Sequence, residues 1–531
     1  MRDLELPGRS PVHAMNGMAA TSHALATQTA VQILQAGGNA MDAAIAACAV
    51  QCVVEPGSTG IGGDNFCLYS PKGGDKIVAF NGSGKAPAAA TGDWYRERGY
   101  KAIGRDVHAV TVPGAVDAWC QLHRDHGKLP FADILAPAIA YARDGYPISS
   151  RVHEDFKDEE DILRAEPTLA ETFLVNGEVP AVGTRHSQPK LAVTLQKIAE
   201  GGRDAFYKGA VAEDMVNYLR SKGGLHTLED FANVSGDYVE PISTKFRDLT
   251  VWECPPNGQG VIALMLLNIM QGMEVDKAAG PITADRIHQE IEAGRKAYRA
   301  RSLYLSDPQF GRVPVEELLS DEYAATIRNA IDMKKAGDPP QDLALPPHKD
   351  TVYITVVDKD RNACSFINTV FYGFGAGLMA PESGVLLQNR GMGFSLEEGH
   401  PNEIAPNKRP LHTIIPGMAT KDGRTVLSFG VMGGEYQAFG HMQFLTRYID
   451  YGLDIQEAMD APRFMPDPFS GTVEIEDTVP QAIRDELAAR GHRLEKPGKP
   501  IGGSQAIYID WEQGVLTGGS EPRKDGCALG Y

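Results

Sequence analysis

The chain has 531 residues, a formal net charge of −18, 43% hydrophobic and 23% charged residues, 57 Gly and 34 Pro. That is enough for one very large domain or two to three ordinary ones, and the composition is that of a loop-rich globular protein, neither disordered nor fibrous. So acidic a balance argues against nucleic acid as a partner, because phosphate binding needs clustered Lys and Arg; basic runs such as "NKRP" from Asn407 sit among acids.

In chain order, "MRDLELPGRSPVHAMNGMAA" has no apolar core after its charges, so no signal peptide is visible. No run of about 18 apolar residues suggests a membrane span, and the expectation is a cytoplasmic protein without membrane partners. Next, "SHALATQTAVQILQAGGNAMDAAIAACAVQCVVEPG" reads as two helices. Gly37 and Gly38 stop the first, and Asn39 caps the second with Asp42 favourably placed in its first turn. The second is apolar nearly all round, hence interior, and ends at Pro56. Cys48 and Cys52 share one of its faces, but no nearby His or second Cys pair completes a metal site. Buried thiols in a reducing compartment are expected, with no metal and no cofactor.

The Gly-rich "GSTGIGGDNFCLYS" from Gly57 fits neither dinucleotide nor phosphate-loop patterns, and reads as a closely packed turn before a strand. The middle third, from "VTVPGAVDAW" to "SLYLSDP", is mostly helical by period. Residues 334–350, "KKAGDPPQDLALPPHKD", are rich in Pro and charge and read as a linker. Beyond them lie strands "TVYITVVD", opening at Thr351, and "ACSFINTVFYGFG", separated by the turn "KDRN". A helical lead, a linker and a strand opening on Thr is the organisation of a cleavable precursor.

The motifs "GGNAMDAAIA", "GIGGDNF", "APAAAT", "VPGAVDAW", "AYRARSLYLSDPQF", "TVYITVVDKDRNA", "ESGVLL", "NKRPLHT", "VMGGE" and "EPRKDG", in this order, resemble the γ-glutamyltransferase family of N-terminal-nucleophile hydrolases across nearly the whole chain. The resemblance implies a four-layer αββα (α+β) fold. It implies cleavage between Asp350 and Thr351 into a large subunit, 1–350, and a small subunit, 351–531, that stay associated. The freed α-amine of Thr351, with an unperturbed pKa near 8, would serve as base for its own hydroxyl. Thr369 matches a threonine that orients the nucleophile. Gly433 and Gly434 match oxyanion-hole amides, where glycine lets the reacting carbonyl approach closely.

The departures bear on substrate. Where γ-glutamyl-specific members hold the free amino-acid head, an arginine becomes Ser83 and an asparagine Phe371. A Gln and an Asp become Arg390 and Gly393, and a serine pair becomes His412 and Thr413. Arg390 and His412 offer positive charge and donors near the nucleophile, and Arg suits a carboxylate through its planar fork. The segment "LEEGHPNEIAPNK" is short, implying a more open site. The pattern is most similar to oxamate amidohydrolase and cephalosporin-acylase-like members. The leading reading is a self-processing amidohydrolase cleaving a small amide with an acidic acyl group. A γ-glutamyltransferase or glutathione hydrolase with atypical contacts, and an uncleaved non-catalytic relative, stay open.

Overall fold

The computed structural model describes residue 5, residues 8–338 and residues 351–531. Two seven-stranded antiparallel sheets lie face to face between two layers of helices. One sheet runs Cys527–Gly530, Met18–Thr21, Val352–Val357, Ala363–Thr369, Asp64–Ser70, Val78–Gly82, Asp237–Val239. The other runs Val12–Ala14, Val515–Ser520, Gly503–Asp510, Arg424–Met432, Gly417–Lys421, Leu249–Glu253, Ile242–Phe246. This is the αββα arrangement.

Strand Val352–Val357 shows why. Tyr353 and Val357 enter the core between the sheets, while Ile354 and Val356 enter the core beneath the helices. Every residue of the strand is buried. A strand covered on both faces loses the apolar–polar alternation of a half-exposed one. The Tyr353 hydroxyl hydrogen-bonds Ser365 Oγ at 2.7 Å, and its ring occupies the space a side chain at Gly430 would need on the facing sheet.

The two N-terminal helices form as their caps predict. Helix Ala24–Gln35 gives way to Gly37 at φ 97°, and helix Ala40–Val54 opens on a capping box in which Asn39 accepts from Asp42 N and Asp42 accepts from Asn39 N. Its residues are all buried, Cys48 and Cys52 included, and both thiols are free. The middle third is less purely helical than its period suggests: Asp237–Val239, Ile242–Phe246 and Leu249–Glu253 are strands, at the ends of the two sheets. Such short strands carry little periodic signal. Residues 339–350, and with them Asp350 and the expected cleavage junction, lie outside the described residues. Among the described residues no helix is long and apolar enough to cross a membrane.

Candidate active site

Thr351 stands just before strand Val352–Val357 and Thr369 ends its antiparallel neighbour, so register brings them together: Val352 pairs with Asn368. Their hydroxyl oxygens lie 3.4 Å apart in a fully buried setting, long for a hydroxyl pair. Thr369 Oγ1 also accepts from Phe371 N at 2.9 Å, which fixes its orientation. Glycine shapes the other side of this strand end. A Cβ at Gly63 would collide with the Thr369 carbonyl, so the turn expected of "GIGGDNF" is one whose backbone packs directly against Thr369.

Asp64 pairs with Thr369 in register and is fully buried. Its Oδ1 accepts from Gly84 N at 2.8 Å, Gly114 N at 3.2 Å and Gln388 Nε2 at 2.8 Å. Its Oδ2 takes His412 Nε2 at 3.1 Å. His412 Nδ1 accepts from Ile414 N at 3.3 Å, so the imidazole is protonated on Nε2 and both ring nitrogens are engaged. The positive charge expected of His412 is absent. Burial, reinforced by the Arg390 charge, lowers its pKa to about 4, and the ring is neutral.

Arg390, on the turn Arg390–Gly393, is fully buried. Its Nη1 donates to Thr413 Oγ1 at 3.2 Å, and its guanidinium lies 3.6 Å above the centre of the Phe371 ring. Phe371 holds a positive φ of 82°, a conformation costly for an aromatic residue and common where a site constrains the chain. Arg390 Nε and Nη2 have no hydrogen-bond partner among the described residues. Burial pulls the Arg390 pKa down to about 9 against the raising influence of Asp64 and Tyr372, so the charge persists at neutral pH. Ser83, by contrast, is absorbed in a polar net: its Oγ accepts from Asn257 Nδ2 at 3.1 Å.

Strand Arg424–Met432 runs into Gly433 and Gly434, at φ 119° and 56°. A Cβ at Gly433 would fall 2.7 Å from Gly502 Cα. Their carbonyls are tied back: Gly433 O accepts from Tyr436 N at 3.0 Å, and Gly434 O from Gln259 Nε2 at 3.1 Å. Gln259 also donates to Thr413 O at 2.8 Å and accepts from Arg301 Nη1 at 2.9 Å. Arg301 in turn pairs with Glu435. Asp64, Gln259, Arg301 and Glu435 escaped sequence reasoning. For Asp64 the signal was an acid opening a strand that is otherwise interior, where a carboxylate needs partners.

Over the full length these features match one family. The Gamma-glutamyltranspeptidase profile covers residues 26–531. The chain belongs to that family. Its relatives there include the glutathione hydrolase-like YwrD proenzyme of Bacillus subtilis, 36% identical over 97% of this chain and 98% of that one. The oxamate amidohydrolase proenzyme of Klebsiella pneumoniae is 35% identical, over 97% and 98%. A crystal structure of cephalosporin acylase from Bacillus halodurans, 40% identical, superposes with a TM-score of 0.92 over 100% of this chain and 99% of that one. These family members carry three activities in their names at similar identity, so overall similarity does not select a substrate.

The short segment expected to leave the site more open is anchored by side-chain hydrogen bonds. Asn402 donates to Gly393 O at 2.5 Å and accepts from Leu411 N at 3.0 Å, and Arg96 binds both Leu396 O, at 3.0 Å, and Glu403, at 2.6 Å. The segment is thereby pinned. Far from Thr351 in sequence, His288, Glu292 and His492 cluster within 4.8 Å. His288 Nδ1 bonds His492 Nε2 at 2.7 Å and Glu292 accepts from Arg295 at 2.9 Å, while His492 Nδ1 is buried with no hydrogen-bond partner among the described residues.

Proposed function

We propose that this member of the family is a self-processing amidohydrolase that cleaves a small amide whose acyl group ends in an anion, through an ester on Thr351. Arg390 carries the reading: a fully buried guanidinium, stacked on Phe371, with Nε and Nη2 unpartnered among the described residues. Two parallel donors in one plane suit a carboxylate, and buried donors left without a hydrogen-bond partner are costly until a ligand arrives.

In the precursor, Thr351 Oγ1 attacks the Asp350 carbonyl carbon, and the chain nitrogen leaves as the Thr351 α-amine. Water then hydrolyses the resulting ester, freeing the Asp350 carboxylate. In turnover that amine accepts the hydroxyl proton as Oγ1 attacks the substrate carbonyl. The Gly433 and Gly434 amides take the developing oxyanion, Thr369 orients the attacking oxygen, and the amine half leaves with the proton; water, deprotonated by the α-amine, then attacks the ester carbonyl, releasing the acid and returning the proton to Thr351 Oγ1. Losing one oxyanion donor costs about 3–4 kcal/mol. Arg390 and Thr413 face the acyl anion, and His412, engaged at both nitrogens, positions Asp64 beside Thr369. The proenzyme names of the relatives support maturation.

Thr351→Ala is expected to remain one chain by intact mass, while the wild type yields a fragment starting at Thr351. With matured protein, glutaryl-p-nitroanilide is expected to match or exceed γ-glutamyl-p-nitroanilide in kcat/KM, because the γ-glutamyl ammonium meets Arg390 and no acid at Gly393. A preference of more than about tenfold for the γ-glutamyl compound, about 1.4 kcal/mol, would replace this reading with a glutathione-processing one.

A further inference from the structure

Gln259 touches both ends of the proposed reaction. It is fully buried and immediately precedes helix Gly260–Gln271. Its Nε2 donates to Thr413 O at 2.8 Å and to Gly434 O at 3.1 Å, and its Oε1 accepts from Arg301 Nη1 at 2.9 Å. Carbonyl oxygens only accept and a guanidinium only donates, so this amide has one possible orientation, with both hydrogens and its oxygen engaged. Its main chain is pinned as well: Gln259 N donates to His412 O at 2.9 Å, and His412 N to Asn257 O at 2.9 Å.

One nitrogen shared by two carbonyls sets a distance. Thr413 O and Gly434 O stand no farther apart than the sum of 2.8 Å and 3.1 Å, about 5.9 Å. Thr413 is the residue whose Oγ1 receives Arg390 Nη1, at the acyl-anion end. Gly434 belongs to the oxyanion end, where no side chain of its own steadies the backbone. Gly433 and Gly434 both have positive φ, where a glycine peptide rotates with little steric penalty. Gly433 O is held by Tyr436 N, and a trans peptide then turns Gly434 N–H the opposite way. The next peptide is held through Gly434 O, by Gln437 N at 3.2 Å and by Gln259. Behind Gln259, Arg301 keeps its charge at a pKa lowered by burial to about 10, and it pairs with Glu435, the residue after Gly434. The Gln259 amide is therefore a crossbar between the two ends of the site.

We infer that Gln259 is a positioning residue that fixes the spacing between the oxyanion donors and the Arg390–Thr413 anion site, so that the protein favours one acyl chain length. The inference rests on the amidohydrolase reading above. A rigid spacing penalises an acyl group one methylene too short or too long, because a misplacement of about 1 Å can cost about 100-fold in rate. The test uses matured protein and the mono-p-nitroanilides of succinic, glutaric and adipic acid, which share a leaving group and differ by one methylene each. Wild type is expected to favour one of them over its neighbours by about tenfold or more in kcat/KM. Gln259→Met keeps the length of the side chain and removes its donors and acceptor. It is expected to bring that preference below about threefold and to lower kcat on the best substrate by about tenfold, with KM within about threefold because Arg390 and Thr413 Oγ1 stay in place. Should Gln259→Met remain one chain, Arg301→Lys goes through the same series; it leaves both Gln259 donors and loosens only the oxygen, and a flattening in the same direction is expected. A flat wild-type profile, or a matured variant that loses rate in parallel on all three substrates, overturns the positioning role while the amidohydrolase reading stands. Hydrolysis of none of the three by wild type removes both.

Discussion

Arg390 and His412 sit side by side and are treated oppositely by the same burial. The guanidinium keeps its charge although its pKa falls to about 9, and the imidazole gives its charge up at a pKa of about 4. Arg390→Ala is expected to raise KM for the best acidic amide by about 30-fold or more, since truncating one side of a buried charge-assisted contact costs about 2–5 kcal/mol. Maturation should be unaffected, and unchanged kinetics would return Arg390 to a structural role. For His412 the folded pKa lies below the unfolded value of about 6.5. Its neutral packing therefore stabilises the fold fully above about pH 6.5 and progressively less as pH falls toward 4. Urea unfolding of wild type and His412→Gln at pH 7 and pH 5 should show the stability gap narrowing by up to about 2 kcal/mol at pH 5. A constant gap would mean that the ring is not held neutral. Motif resemblance named Thr351, Thr369, Gly433, Gly434, Arg390, His412 and Thr413 as candidates, and the fold sets Thr351 beside Thr369 and Arg390 beside Thr413. Asp64 was not named, because what makes it matter is His412, 348 positions away.

At the scale of elements, local chemistry was readable where it is self-contained. Asn39 and Asp42 announce a helix start because both partners lie within one turn. The strand after the linker was readable because β-branched residues dominate it. Strand Leu249–Glu253 was not, since it is joined to its sheet by pairing with Gly417–Lys421 and that partner is remote. Loop length likewise says little. The segment after Phe394 is short, but its anchoring through Asn402 and Arg96 is not readable from its length. Sheet-to-sheet fit is equally invisible in sequence: Gly430 is a glycine because the Tyr353 ring lies against it. Gly430→Ala is expected to cost about 1–3 kcal/mol by overpacking and to slow maturation, because Tyr353 follows Thr351 by two residues. Urea midpoints and the time course of fragment appearance check both, and an unchanged midpoint would show that the sheets part freely there.

At the scale of the molecule, neither side of the proposed junction owns a complete sheet. The sheet that holds Thr369 takes Met18–Thr21, Asp64–Ser70, Val78–Gly82 and Asp237–Val239 from before it and Val352–Val357, Ala363–Thr369 and Cys527–Gly530 from after it. The other sheet is likewise mixed. Residues 1–350 and 351–531 produced separately are expected to be insoluble or unfolded, whereas the matured pair should elute as one species under native conditions. Soluble, folded separate pieces would contradict a shared core.

With the proposed maturation, the interleaving also makes folding a one-time event. While the chain is continuous, each strand finds its neighbours at the high effective concentration of a tether. Once the junction is cut, that advantage is spent, and two fragments must meet by diffusion to rebuild sheets that neither can template alone. The matured protein is then expected to be held by kinetic stability: after heat or acid separates the pieces, the yield of refolded protein should fall as the protein is diluted, whereas the uncut Thr351→Ala chain should refold independently of concentration.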